Sequence, residues 1–158
     1  MAATACALFL GAAAIAWWQY RDPAPYTLRA SPAVTVTVRP AESEYPDAEE
    51  VAGEAELLIR AYVQRLAAGD AAGLADLGAP WYTGRRKAAE DLVADYRAVA
   101  EQPVDAIVDD PAVPCLAVAD ILFTGGKRQT LYLTRADGVW WIELGEGDPV
   151  GPGEACAT

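Results

Sequence analysis

The sequence predicts an α+β domain that follows an apolar N-terminal segment. Three patterns predict it: an uncharged stretch at the N-terminus, helical spacing of apolar residues from Asp47 onward, and strand-like alternation with glycine turns after Pro103. Helices followed by strands are typical of a curved antiparallel sheet packed on helices. We divide the chain into a membrane anchor or signal segment (1–20), a Pro-rich spacer (21–46), the α+β domain (47–146) and a Gly/Pro-rich tail (147–158).

The N-terminal segment is long enough to cross a membrane as a helix. No charged side chain occurs from Ala2 to Tyr20, and about 17 to 20 apolar residues suffice for a bilayer core. Trp17 and Trp18 suit the membrane interface. A cleaved signal peptide is the alternative, with cleavage after Ala16, although the basic region expected at its start is missing. We expect a retained N-terminal apolar helix that acts as an anchor.

The stretch after the apolar segment leaves two interpretations open. Its prolines, from Pro23 to Pro46, are typical of an extended spacer between a membrane and an envelope domain. The alternation from Val34 to Arg39 is also that of a strand, so this part could instead pair with a sheet edge. Arginines that follow the apolar segment would place the domain in the cytoplasm by the positive-inside rule, whereas the spacer favours an extracytoplasmic domain.

Three helices are expected at the start of the domain. Asp47 and Glu50 form a capping-box pattern, and apolar residues then recur on one face until Gly69 ends the first helix. A short second helix is predicted from Asp70 to Leu77. A third helix, with Tyr96 on its apolar side, should stop before Pro103.

Four strands are expected after the helices. Their predicted bounds are Val104–Val108, Leu116–Phe123, Gln129–Leu133 and Val139–Leu144. The dipeptides Gly125-Gly126 and Asp137-Gly138 tolerate positive φ. The last three strands should therefore form an antiparallel meander with tight hairpins.

Charge and composition exclude several classes of function. The chain has 12 Lys and Arg against 23 Asp and Glu, a net charge of −11, so a nucleic-acid backbone would be repelled. The basic cluster Arg85 to Lys87 lies close to Glu90 and Asp91, as on a solvated helix face. The absence of histidine removes the usual general base near pH 7 and the commonest metal ligand. We expect no cofactor and no metal site. The residue bias suggests a GC-rich bacterial genome.

Three groups of residues carry a family resemblance. They are Arg65–Asp70 before the short turn Leu74–Leu77, the aromatic pair Trp81-Tyr82, and the final Asp137–Glu143. In this order the domain resembles the nuclear transport factor 2-like superfamily, which includes ketosteroid isomerase-like and polyketide cyclase-like members. The resemblance implies a cone of about three helices on a curved sheet, whose wide end can hold an apolar ligand. The fold hosts both enzymes and non-catalytic modules.

The resemblance also implies where a site would lie. We expect a pocket between the first helix and the concave sheet, lined by Tyr62, Tyr96 and one of Trp140 and Trp141. Enzymatic members place a carboxylate and a hydrogen-bond donor inside the cone, and Asp120 is the weak candidate for the carboxylate. The donor would be Tyr62, Tyr96 or Tyr132. The preferred interpretation of Asp120 is an edge or solvent-facing Asp in a strand, or a salt bridge to Arg128 or Arg135, and no catalytic residue is assigned.

Two cysteines of the soluble part are expected to form a disulfide. Cys6 belongs to the apolar segment, which leaves Cys115 and Cys156 as a pair of the kind that exported domains use. In the chain-entropy model, closing a loop of about 40 residues stabilises by roughly 4 kcal/mol. The alternative is a buried Cys115 and a free tail thiol, as in a reducing cytoplasm.

These patterns favour a membrane-tethered, non-catalytic binding or assembly module of the bacterial cell envelope. A tether is of little use to an enzyme of soluble metabolites, and no acid and base can be paired from the sequence. The alternatives are a small isomerase or cyclase acting on an apolar metabolite, and a structural spacer in a larger membrane complex. The expected partners are the membrane, through the N-terminal segment, and a protein or a second copy of the chain, through the sheet.

Overall fold

The computed structural model describes residues 25–43, 47–111 and 113–152. There the chain forms an α+β fold in which three helices pack on a curled, five-stranded half-barrel sheet. The elements are β1 (Val36–Pro40), α1 (Asp47–Ala68), α2 (Ala71–Ala75), α3 (Arg85–Ala100), β2 (Val104–Val108), β3 (Leu116–Phe123), β4 (Arg128–Ala136) and β5 (Val139–Ile142). The expected N-terminal apolar helix, in residues 1–20, lies outside the described residues.

The sheet is mixed rather than purely antiparallel. Its strand order is β1-β2-β3-β4-β5, and the pairs from β2 to β5 are antiparallel. Strand β1 pairs in parallel with β2, with Val36 opposite Val104. The antiparallel expectation is therefore wrong at this edge, because the helices between the two strands return the chain to the same end of the sheet. The alternation from Val34 to Arg39 belongs to a sheet edge.

The two glycine-containing hairpins have the conformations that their sequences predict. Gly125 and Gly126 connect β3 to β4 with φ of 88° and 84°. Asp137 and Gly138 connect β4 to β5 with φ of 51° and 76°. Such positive values are accessible to Gly and tolerated by Asp, so these dipeptides fix the register of the meander.

Helix α1 forms the centre of the core. It contacts α2 and α3 on one side and strands β1, β2 and β5 on the other. Every residue from Ala61 to Ala67 is buried, although an amphipathic helix normally leaves a polar stripe in water. Two of these residues are polar: Gln64 is 4% exposed and Arg65 is 5% exposed. The second half of α1 therefore needs a cover beyond the sheet and the other helices.

Residues Pro25–Pro32 provide that cover, and we call them the strap. The strap begins beside β5, where the Tyr26 hydroxyl donates to the Trp140 carbonyl oxygen at 2.9 Å. The Tyr26 ring also meets the Trp141 ring edge-on, with centroids 6.3 Å apart. From there the strap crosses α1 and leads into β1 at the opposite edge of the sheet.

Buried polar side chains of α1 hold the strap by its backbone. Gln64 Nε2 donates to the carbonyl oxygens of Arg29 and Pro32, both at 2.8 Å, and Gln64 Oε1 accepts from the Arg29 amide at 2.7 Å. Arg65 Nη2 donates to the Thr27 carbonyl oxygen at 2.8 Å. The spacer expected over 21–46 is thus part of the fold over 25–43. The sequence pattern indicated a free spacer because these contacts join residues far apart in the chain, and a local pattern does not reveal such contacts.

The start of the Gly/Pro-rich tail is also held to the domain. Trp81 Nε1 donates to the Asp148 carbonyl oxygen at 2.8 Å, and the Thr83 amide donates to the Glu146 carbonyl oxygen at 2.8 Å. Gly145 precedes these contacts with φ of 95°, and a Cβ there would collide with the Thr83 carbonyl oxygen. Any other residue at position 145 would push the tail off the domain.

We expect replacement of Gln64 by Met to loosen the strap. The substitution keeps the side-chain length but leaves one amide and two carbonyl groups of the strap without their partner, at a cost of about 1–3 kcal/mol per unsatisfied group. Chemical denaturation of the purified chain should show a lower midpoint for Gln64→Met. The matched control is Gln102→Met, since Gln102 is exposed. Equal midpoints for the two variants would contradict the role of Gln64.

Candidate functional site

The four aromatic residues expected to line a pocket lie in three different places. Tyr62 is fully buried, and its hydroxyl donates to Gln129 Oε1 at 2.6 Å. Tyr96 lies near it: the Tyr96 hydroxyl donates to the Arg128 carbonyl oxygen at 3.4 Å, one residue before Gln129. Trp140 packs about two turns of α1 away from Tyr62, beside Glu54. Trp141 alternates with Trp140 along β5 and lies on the other face of the sheet.

The Tyr62 end of the core is closed by side chains from α3, the end of β3 and the hairpin that follows it. The Tyr96 ring stacks at a tilt on Phe123, with centroids 5.2 Å apart, and Lys127 Nζ lies 4.2 Å from the centre of the Tyr96 ring. Burial raises the pKa of the Tyr62 hydroxyl well above its usual value, because a phenolate would lose its hydration there. Tyr62 therefore remains a neutral hydrogen-bond donor to Gln129.

The Trp140 end contains a carboxylate that was not predicted from the sequence. Glu54 Oε1 accepts from Arg135 Nη2 at 3.1 Å, and Glu54 Oε2 accepts from Trp140 Nε1 at 3.0 Å. Glu54 lies on the same helical stripe as Val51 and Leu58, which are both buried. The sequence feature that could have indicated this buried carboxylate is a glutamate at a position of the helical stripe that is otherwise apolar. Its two oxygens bind β4 and β5 to α1, which is a structural role.

Asp120 lies on the face of the sheet that points away from the helices. Along β3 the residues Ala117, Ala119 and Ile121 are buried against the helices, and Asp120 alternates with them. Asp120 Oδ1 accepts a hydrogen bond from Thr130 Oγ1 at 2.7 Å. Asp120 and Tyr62 are therefore separated by the sheet and cannot act on one ligand.

A groove of about 390 Å³ lies between α2 and the start of α3, and it is open to solvent. From its sequence this region was expected to be only a solvated helix face. Its lining combines small, aromatic and charged residues: Ala72, Ala75, Asp76, Tyr82, Gly84, Arg85 and Arg86. The groove is one candidate binding site, since it offers a concave surface with both charge signs and a phenol.

The cations of the groove already have partners within the chain. Arg85 Nη1 donates to the Gly78 carbonyl oxygen at 3.1 Å and to the Ala75 carbonyl oxygen at 3.4 Å, at the end of α2. Arg86 Nε pairs with Glu90 Oε1 at 3.2 Å on the surface of α3. Arg85 therefore helps to close the end of α2, while the exposed pair of Arg86 with Glu90 contributes little to stability.

The phenol of the groove is tied to a carboxylate that follows β5. The Tyr82 hydroxyl donates to Glu143, and burial together with the nearby Glu143 charge raises the pKa of Tyr82 to about 12. Burial also raises the pKa of Glu143 above its usual value, although its bond from Tyr82 opposes this change. Tyr82 therefore anchors the groove wall to the sheet as a neutral hydrogen-bond donor.

Cys115 is engaged in a disulfide. Its expected partner, Cys156, lies outside the described residues, so the pairing Cys115–Cys156 stays a prediction. In the described parts of the chain, no group of three or more Asp, Glu or Cys could hold a metal ion. Across those same ranges, no helix has both the length and the apolar character needed to cross a membrane.

No protein-family model, no curated protein and no solved structure matches this chain. The likeness to the nuclear transport factor 2-like superfamily therefore stays a prediction from the residues that carry it. The site must be interpreted from its own geometry.

Alkaline pH should destabilise the fold through its buried tyrosines. Burial raises the pKa of Tyr26 and of Tyr82 from 10.0 to about 12. Because the folded-state values are higher than those of the unfolded chain, the stability from each neutral phenol is complete below pH 10 and is lost as the pH rises towards 12. The melting temperature should therefore fall across this interval.

The measurement is the melting temperature as a function of pH for the chain and for Tyr82→Phe. We expect the variant to lose less stability than the parent between about pH 10 and pH 12, since it lacks one of the ionising groups. Tyr132→Phe is the control, because the Tyr132 side chain is exposed. Identical alkaline profiles for Tyr82→Phe and the parent would show that Tyr82 is not held as a buried neutral phenol.

Proposed function

We propose that this chain is a membrane-tethered, non-catalytic binding or assembly module of the bacterial cell envelope, built on a nuclear transport factor 2-like cone. The separation of Asp120 from Tyr62 carries the proposal. An isomerase or cyclase on this fold would need a carboxylate and a donor in one cavity, whereas these two groups lie on opposite faces of the sheet. The carboxylate on the inner side, Glu54, is bound by Arg135 and Trp140.

Two features support a location outside the cytoplasm. The disulfide of Cys115 is typical of proteins in oxidising compartments. The uncharged stretch from Ala2 to Tyr20 would supply the tether. The domain would then face the extracytoplasmic side of the membrane.

The outer face of the sheet is the surface we assign to a protein partner or a second copy of the chain. Ile107, Val118 and Leu122 are only half-buried there, and Tyr132 is 56% exposed. A partly uncovered apolar face with an exposed tyrosine is typical of interaction surfaces. The groove beside α3 offers a second, more polar contact area.

The location can be tested in intact cells that express the chain with a C-terminal tag. External protease added to spheroplasts should remove the tag, while a cytoplasmic marker protein survives. Mapping of disulfide-linked peptides should join Cys115 to Cys156 and leave Cys6 as the free thiol. A protected tag, or three titratable thiols in the denatured, unreduced chain, would place the domain in the cytoplasm.

The binding role can be tested by chemical crosslinking in native membranes. Tyr132→Asp should abolish crosslinked species, because a charge replaces the exposed ring on the outer face. Tyr62→Phe is the matched control: it removes a buried hydroxyl that an enzyme on this fold would use and should leave crosslinking unchanged. Crosslinked species that persist in Tyr132→Asp would contradict the role of the outer face.

A further inference from the structure

We propose that the strap holds the domain directly against the bilayer that carries the N-terminal segment, with the exposed Leu28 facing the lipid headgroups. The inference rests on the proposed function, since it requires the membrane tether. It adds the orientation of the domain relative to the bilayer and the surface that contacts the lipid. Both follow from where the strap is fixed to the domain and from the short connection between the strap and the membrane segment.

The strap is fixed to the domain from its first residues. Tyr26 is buried, and its hydroxyl is bonded to β5. Arg65 holds the carbonyl of Thr27, and Gln64 holds Arg29 on both its amide and its carbonyl. Releasing the strap would break these hydrogen bonds and expose to water the surface of α1 that the strap covers. The strap is therefore a rigid part of the domain and does not act as a flexible spacer.

The chain between the proposed membrane segment and the strap is short. The uncharged stretch ends at Tyr20, and the first anchored side chain of the strap is Tyr26. A fully extended residue spans at most about 3.6 Å, so the intervening residues reach no more than roughly 20 Å. A domain of this size is itself about 30 Å across. The edge of the domain at Tyr26 would then lie within roughly 20 Å of the end of the membrane segment, less than the width of the domain itself.

The exposed side of the strap carries one large apolar side chain among smaller and polar ones. Leu28 is 45% exposed, which makes it one of the few large apolar side chains that the described residues leave in water. The neighbouring Arg29 already pairs with Asp70, so its charge is engaged within the domain. Trp141, partly exposed beneath Tyr26, adds a residue type that favours the membrane interface.

The net charge of the chain makes the bilayer contact depend on the tether. With a net charge of −11, the chain has no general electrostatic attraction to anionic headgroups. One leucine and part of one tryptophan bury too little apolar surface to bind a membrane on their own. The short connection supplies the proximity, and Leu28 determines which edge faces the lipid.

The experiment uses the full chain reconstituted in phosphatidylcholine nanodiscs, with a photoreactive benzoyl-phenylalanine at position 28 or at position 128. Arg128 is also exposed, but it lies six residues along β4 from Thr134, which pairs with Trp141. That distance is about 20 Å along the strand. We expect a several-fold excess of lipid adducts at position 28, measured by mass spectrometry.

A second variant separates the length of the tether from the affinity of the surface. A flexible Gly/Ser insertion of about 12 residues between Asp22 and Pro23 would add an average reach of roughly 20 Å. Adducts at position 28 should fall several-fold while those at position 128 stay low. Undiminished adducts at position 28 would overturn the role of the short connection.

Membrane extraction distinguishes the failure of this inference from the failure of the proposed function. If carbonate at high pH releases the full chain from membranes, the tether itself is refuted, and the orientation with it. If the chain is retained and keeps its melting transition, but positions 28 and 128 give equal adduct yields, only the orientation is refuted. Retention together with an excess at position 28 supports both.

Discussion

The structure depends on the burial of helix α1. Side chains at Leu58, Ile59, Tyr62, Val63 and Leu66 are all fully buried. Each contributes about 1.5–3 kcal/mol relative to exposure, so this one helix supplies a large part of the apolar burial that stabilises the fold. The curl of the sheet follows from this requirement, since a flat sheet would cover only one side of the helix. The second half of α1 needs cover on every side, and that need extends the fold beyond the helices and the meander.

The strap covers the second half of α1. This burial removes polar side chains from water, and the hydrogen bonds of the strap offset that cost. Covering α1 with backbone takes Gln64 and Arg65 out of water, and burial lowers the pKa of Arg65 because the charged form loses hydration. The carbonyl groups of the strap supply the missing acceptors. Burial and hydrogen bonding are therefore linked: neither the buried polar pair nor the strap is stable without the other.

Local chemistry explains what could be predicted from the sequence. The start of α1, the hairpins at Gly125 and Asp137, and the opposite faces of Trp140 and Trp141 depend on neighbouring residues, and the structure agrees with them. The parallel β1 and the burial of Gln64 depend on segments distant in sequence, so periodicity does not reveal them.

The candidate site was harder to predict for the same reason. Tyr62 and Tyr96 each follow from the apolar face of their own helix, but a shared pocket between them stays a prediction. The groove beside Tyr82 combines a loop, the end of α2 and the start of α3, and no single pattern marks it.

The parallel pairing of β1 also orders the events of folding. The partner of Val36 is Val104, so the ribosome must complete all three helices before the first strand can enter the sheet. Contacts of such long sequence separation form late in folding, because the chain must lose the entropy of closing the loop before strand pairing stabilises it. Until then β1 is an unpaired strand, and its last residues, Arg39 and Pro40, are types that discourage pairing with another chain. Strand β1 is thus expected to join the sheet only after the helices and β2 have been made.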